Sequence, residues 1–295
     1  MVTARFLGTV VFLTVAAVTV VLWVLPSSTD YSPSNPRWNG LRSVAREHGA
    51  TGIDSFDALP SGANTVLVVI PFLPPTAAEV TRLLGFVAAG GTLVLMDDFG
   101  AGNAVLEGLG VETRFAGQPL ADGLFNHRSA RLPRIIDIVP SPLTAGVELL
   151  VLNHATAISP LGSLRAVALS SAVSYLDTND SGRRDAGEPK GPFPVAAVGR
   201  IGGGSLVLVA DSSLLLNAML PLGDNRRLAA NIFALGGAHP RVLLDEAHLP
   251  RRPLDAAKAG LRAGREIISL PLAAFILTTA ALAIPLMSLY RPARR

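Results

Sequence analysis

The run Thr65-Val66-Leu67-Val68-Val69-Ile70 is apolar or β-branched without interruption, the pattern of a strand buried on both faces. Val80, Leu83, Leu84 and Val87 follow at i, i+3, i+4, i+7, with Glu79 and Arg82 on the opposite side, which predicts an amphipathic helix. Gly90-Gly91 ends that helix, and Thr92-Leu93-Val94-Leu95-Met96 reads as a second buried strand. A strand, helix and strand within about 30 residues make a βαβ unit, whose right-handed crossover demands a parallel sheet.

A related unit returns later in the chain. Gly202-Gly203-Gly204 precedes the strand-like run Ser205 to Ala210, which ends in Asp211 much as the earlier strand ends in Asp97-Asp98. A helix with Leu228, Ile232 and Leu235 on one face follows, opened by Asp224 as a cap and closed by Gly236-Gly237. Arg241 to Leu244 reads as a last strand, delivering Asp245-Glu246-Ala247-His248 to its end. Between the two units, residues 115–200 alternate short β-like runs with Pro and Gly, as a β-rich insertion would. Near the start, Trp38, Leu41, Val44, Ala45 and His48 fall at helical spacing with Gly49 as the stop, after an extended linker from Pro26 to Pro36.

Both ends of the chain carry long uncharged runs, Phe6 to Leu25 and Ile267 to Tyr290. At ~1.5 Å per residue each reaches the roughly 30 Å of a bilayer core, so residues 1–25 and 267–290 are expected as N- and C-terminal transmembrane helices. Residues 250–266 would then be a juxtamembrane linker and 291–295 a basic tail. The first run is longer than a usual signal core, and Leu25-Pro26-Ser27-Ser28 offers no small-residue cleavage site. Arg5 before it and Asp30 after it favour cytoplasmic termini, an extracytoplasmic domain and the lipid bilayer as partner.

The formal net charge of +3 misleads until the charges are placed. Arg5, Arg291, Arg294 and Arg295 lie outside residues 26–266, leaving 21 basic and 22 acidic residues within that span. A domain so nearly neutral has no basic field to neutralise a phosphate backbone, so nucleic acid is not an expected partner. The chain has no cysteine, which removes disulfides, thiolate metal sites and cysteine nucleophiles together.

In open parallel sheets ligands bind beyond the carboxyl ends of the strands. Asp97, Asp98, Asp211 and Ser212 reach that edge and are the candidate ligand-binding residues. Acids at such positions also commonly cap the helix that follows, where the dipole favours them. Asp245, Glu246 and His248 are the catalytic candidates, because an acid pair and an imidazole within four residues suit acid/base work or metal binding. They lack the two-histidine helical spacing of zinc proteases. Gly100-Ala101-Gly102 lacks the lysine and glycine spacing of a phosphate loop, so no nucleotide cofactor is indicated.

The sharpest motif runs from Asp177 to Glu188, DTNDSGRRDAGE. It fits the calcium-loop pattern D-x-[DN]-x-[DN]-G-x5-E except that serine fills the third ligand position. Asp177, Asn179, Ser181, the Arg183 carbonyl, Asp185 and Glu188 would supply the oxygens, with Gly182 at the sharp turn. Pro189 and Pro192 forbid an exiting helix, so Ca2+ here would be structural within a β-hairpin.

Several blocks carry a family resemblance: Tyr31-Ser32 with Gly40-Leu41, Gly90 through Gly100, Asp211-Ser212-Ser213 with Asn217-Ala218-Met219-Leu220, Asp224-Asn225, and Asp245-Glu246-Ala247-His248. In these the chain resembles the DUF4350 family. The resemblance implies a flavodoxin-like or class I glutamine amidotransferase-like parallel sheet over residues 26–249, on a membrane anchor, with MoxR-type ATPase systems as partners. Amidotransferases of that fold use a cysteine nucleophile, which this chain lacks. The expected function is therefore a non-catalytic ligand- or partner-binding module. The alternatives are a membrane-tethered metal-dependent hydrolase using Asp245, Glu246 and His248, and an accessory subunit of a membrane transport or assembly complex.

Overall fold

The computed structural model describes residues 2–57 and 59–269. Two compact units divide the chain: residues 26–250, and a second unit of residues 1–25 with 251–295.

The larger unit is a mixed α/β structure around one eight-stranded sheet. Its strands are β1 (Thr51–Ile53), β2 (Thr65–Val69), β3 (Thr92–Met96), β6 (Asp137–Ile138), β8 (Arg165–Leu169), β10 (Pro194–Ile201), β11 (Gly204–Val209) and β12 (Arg241–Asp245). The order across the sheet is β1-β12-β2-β3-β11-β10-β8-β6. The first five run parallel, with Leu67 opposite Leu93 and Leu93 opposite Leu206. β10, β8 and β6 then continue the sheet antiparallel. The expected parallel sheet of flavodoxin-like or amidotransferase-like form is corrected by this mixed topology. Its cause is local: Gly202 at φ +54 permits the tight turn that folds β11 back along β10, and a hairpin is antiparallel by construction. The remaining strands form two small antiparallel pairs, β4 (Leu120–Ala121) with β9 (Tyr175–Leu176) and β5 (Arg134–Ile135) with β7 (Leu150–Val151).

Successive side chains of a strand point to opposite faces, and the core divides accordingly. Val66, Val68, Val94, Met96, Val207 and Val209 enter one cluster, with Leu41 just before α2 (Arg42–His48), Val44 within it, and Leu228 and Ile232 of α5 (Asn225–Ala234). Leu67, Val69, Leu93, Leu95, Leu206 and Leu208 enter the other, with Leu83 and Val87 of α3 (Ala77–Ala88) and Val105 of α4 (Gly102–Gly108). Burial on both faces is why these strands read as unbroken apolar runs.

Three local expectations are revised. Trp38 precedes α2 and is 71% exposed; the helix starts at Arg42 and stops at Gly49, φ +63. The stretch from Pro26 to Pro36 is folded rather than extended: Asn35 is fully buried and donates to the Thr29 carbonyl at 2.9 Å. Asp224 stands before α5 without capping it, and accepts instead from the Glu148 and Leu149 amides at 2.9 and 3.0 Å.

The smaller unit contains α1 (Val2–Val24) and the described part of α6 (Pro253–Ser269), where Lys258 donates to the Leu25 carbonyl. Among the described residues no helix is long and apolar enough to cross a membrane. This overturns the reading of residues 1–25 as a transmembrane helix, and with it the two-span arrangement, the cytoplasmic termini and the extracytoplasmic domain built on it. In α1 the uncharged stretch starts only after Arg5 and ends at Val24. α6 carries Asp255, Lys258, Arg262, Arg265 and Glu266 along its length. From residue 270 onward, the expected second span lies outside the described residues.

Candidate functional site

Three of the five parallel strands, β3 and its neighbour β11 together with β12 beyond β2, end in one repeated pattern, a buried aspartate followed by a polar residue. β3 leads to Asp97 then Asp98, β11 to Asp211 then Ser212, and β12 to Asp245 then Glu246. In each pair the aspartate turns inward. Asp97 accepts from the amides of Asp98, Gly100 and Gly102 at 2.7–2.9 Å, holding the loop into α4. Asp211 accepts from the Asn153 and Ser213 amides at 2.8 and 2.6 Å. Asp245 accepts from the Ala247 amide at 2.9 Å and from His248 Nδ1 at 2.7 Å. Burial pushes the Asp97 carboxyl up to about 6 and that of Asp211 up to about 7, against the pull of their amide donors. Both act as loop anchors, which leaves Asp98 and Ser212 as the members of the two pairs whose side chains meet each other.

Ser212 Oγ donates to Asp98 Oδ2 at 2.8 Å, and the Tyr31 hydroxyl lies 3.0 Å from Ser212 Oγ and 3.3 Å from Ser213 Oγ. The next residue, Ser32, donates to Glu246 Oε1 at 2.7 Å. Two consecutive residues, Tyr31 and Ser32, thus tie the ends of β3, β11 and β12 into one polar surface. Tyr31 holds φ at +60, a region that bulky side chains rarely adopt and that clusters at functional sites. Burial raises the Tyr31 phenol above its ordinary value against the opposing hydrogen bonds with Ser212 and Ser213, and the nearby Asp98 and Asp211 charges add to the rise. An apolar rim adjoins: the Tyr31 ring lies 4.9 Å from that of Phe72, and Phe72, Leu73 and Phe99 are all exposed. The Leu73 amide donates to the His248 carbonyl at 3.0 Å, which keeps the rim against the end of β12.

His248 faces inward, with its ring 5.0 Å from that of Phe56. Its Nε2 lies 3.6 Å from Glu79 Oε2, while Nδ1 meets Asp245. Burial lowers the imidazole pKa, but Asp245 and Glu79 together outweigh it and hold the group above its ordinary value. Glu79 is held below the ordinary range first by hydrogen bonds from Thr76. Sequence reasoning missed this role of Glu79. The signal was present as the capping box Thr76-x-x-Glu79, in which Thr76 Oγ1 and Glu79 bond reciprocally at the start of α3. Glu246 does not join His248 and Asp245; it turns to Ser32 over β1, where a Cβ on Gly52 would stand 2.1 Å from its Oε2.

The loop from Asp177 to Glu188 gathers most of its expected oxygens around Ser181. The Ser181 amide donates to Asp177 Oδ1 and Asn179 Oδ1 at 2.9 and 3.1 Å, and its hydroxyl donates to Asp185 Oδ2 and the Arg183 carbonyl at 2.8 Å. The Gly182 amide, at φ +73, donates to Asp177 Oδ2 at 2.9 Å. Glu188 is buried and does not bond Ser181; it accepts instead from the Thr178 and Asp185 amides at 2.9 and 3.0 Å. Arg131 reaches Asp177 at 3.3 Å and also pairs with Asp180. Among the described residues no three His, Cys, Asp or Glu stand together as a metal cluster, so a cation here would depend on the Asn179, Ser181 and Arg183 oxygens.

Sheet and site together define a mixed-sheet α/β protein whose polar surface lies at the carboxyl edge of its parallel half. The chain belongs to the DUF4350 family, described as a domain of unknown function, which matches residues 33–233. Among curated proteins no match was found. Among solved structures, the mmIFT52 N-terminal domain is similar at 16% identity and a TM-score of 0.45, over 58% of this chain and 77% of that one. The β-galactosidase from Bacillus circulans sp. alkalophilus is similar at 17% identity and TM-score 0.37, over 60% of this chain and 23% of that one. The exo-β-1,4-mannosidase Op5Man5 from Opitutaceae bacterium strain TAV5 is similar at 14% identity and TM-score 0.38, over 72% of this chain and 31% of that one. At these scores none of the three carries an argument about activity.

Proposed function

We propose that this chain is a non-catalytic binding module that takes a partner protein at the carboxyl edge of its parallel strands. The observation that supports it most is the joining of Asp98, Ser212 and Glu246 through the consecutive residues Tyr31 and Ser32. Two carboxylates, several hydroxyls and the exposed Phe72, Leu73 and Phe99 suit a basic segment flanked by apolar side chains. The hydrolase reading has weaker support, because both ring nitrogens of His248 already face carboxylates and Glu246 is turned elsewhere. The MoxR-type ATPase implied by the family resemblance is the partner to test. Immobilised full-length chain should retain the purified ATPase, and Asp98→Asn/Glu246→Gln should lose that retention. Equal retention by the two chains would remove the edge from the binding surface, and no retention by either would remove this partner.

The Asp177–Glu188 loop is proposed as a structural Ca2+ site of weak affinity. Its oxygens already converge on Ser181, and Glu188 would complete the set by exchanging its two amide donors for the cation.

A further inference from the structure

At the opposite end of β11 from Ser212 lies a cavity of about 370 Å3, within the roughly 300–1,000 Å3 typical of small-molecule sites. Its floor is the antiparallel part of the sheet. Val198 of β10 stands opposite both Arg165 of β8 and Val207 of β11, and Arg200 stands opposite Ser205. All five residues fall on one sheet face by the two-residue alternation of strands. Leu235, just past α5, and the 3-10 turn Pro142–Thr144 complete the lining. That turn is held over the sheet by Asn231 of α5, whose amide nitrogen donates to the Leu143 and Ala145 carbonyls at 2.9 Å. The cavity is therefore built by the fold rather than left by a loose loop.

Its chemistry is lopsided. Leu143, Val198, Val207 and Leu235 make the walls apolar, and two arginines stand at the lining with no carboxylate among the described residues there. Neither Arg165 nor Arg200 forms an ion pair among the described residues. Arg200 spends one donor on the Gly203 carbonyl at 2.7 Å, and a guanidinium has five. Planar guanidinium forks match carboxylates in bidentate geometry, while the walls have only dispersion and burial to offer. We propose that this cavity is a binding site for an amphiphilic carboxylate, with the carboxylate on Arg165 and Arg200 and the alkyl chain against the Val198, Val207 and Leu235 walls. This site is separate from the carboxyl-edge surface and does not depend on it.

The test is calorimetric titration of the full-length chain with octanoate, with octylamine (same chain, opposite charge) and acetate (same charge, no chain) as controls. Octanoate should bind while the two controls do not. Arg165→Gln/Arg200→Gln should weaken octanoate roughly tenfold or more, the scale of losing charge-assisted hydrogen bonds. Val198→Trp, which fills the cavity and leaves both arginines in the chain, should abolish binding, with the fold checked by circular dichroism. Octylamine binding as tightly as octanoate would overturn the proposal. So would octanoate binding unaltered by the arginine substitutions, or no octanoate binding to the wild-type chain.

Discussion

Ser212 donates a 2.8 Å hydrogen bond to Asp98, joining residues 114 positions apart across the ends of two neighbouring parallel strands. Ser212 is buried, so its hydroxyl has few other partners to turn to. Ser212→Ala should therefore cost on the order of 1 kcal/mol, the usual net worth of such a bond. It should also free Asp98 to rotate and weaken partner retention. Urea denaturation measures the first effect and surface-immobilised binding the second; a destabilised chain with full retention would show the bond to be structural only.

Gly52 tests whether Glu246 is held for binding. A Cβ there would stand 2.1 Å from Glu246 Oε2, at the far end of a flexible side chain. Gly52→Ala should displace the carboxylate from Ser32 at a cost of about 1 kcal/mol or less. Partner retention should fall nearly as far as in Glu246→Gln, with the denaturation midpoint almost unmoved.

His248 is predominantly structural in its surroundings. The Asp245 side chain is fully buried, and truncating His248 leaves that carboxylate without its imidazole. His248→Ala should cost roughly 3–5 kcal/mol, as when one partner of a buried ion pair is removed. Asp245→Asn/His248→Gln should cost less than the sum of its single changes, which a double-mutant cycle in urea would read.

Stability should fall as pH rises. Asp97 and Asp211 are raised to about 6 and about 7 in the folded chain, above the roughly 3.9 of an unfolded aspartate. Between those values the folded chain binds more protons than the unfolded chain, so unfolding becomes easier from about pH 4 to about pH 7. His248 acts in the same sense: its contribution is complete below the unfolded value of roughly 6.5 and disappears as pH rises through its raised folded value. Asp211→Asn should flatten the acid-to-neutral part of this slope, measured as denaturation midpoints across that range. An unchanged slope would exclude Asp211 as its source.

Millimolar calcium should raise the melting midpoint of the full-length chain relative to chelator, and Glu188→Gln should remove most of that rise. Arg131, paired with Asp177 and Asp180, places a fixed positive charge beside the same oxygens. Arg131→Ala should accordingly tighten calcium binding. Identical melting with calcium and chelator in both wild type and Arg131→Ala would exclude the site.

The sequence by itself determined the βαβ unit from β2 to β3, since burial on both faces imposes an apolar run and amphipathic spacing imposes the helix between. It also placed Asp97, Asp211 and Asp245 at strand ends, because a strand boundary is a local change in composition. Local pattern could not say which polar residue of each pair faces inward. That depends on the amides around Asp97, Asp211 and Asp245, which come partly from segments as distant as Asn153 and are brought together only by folding. The antiparallel continuation through β10, β8 and β6 was equally out of reach, since pairing is a relation between strands and not a property of one. Ser212 was legible as a residue at a strand end; its bond to Asp98, and the closure of both under Tyr31, belong to the tertiary structure alone.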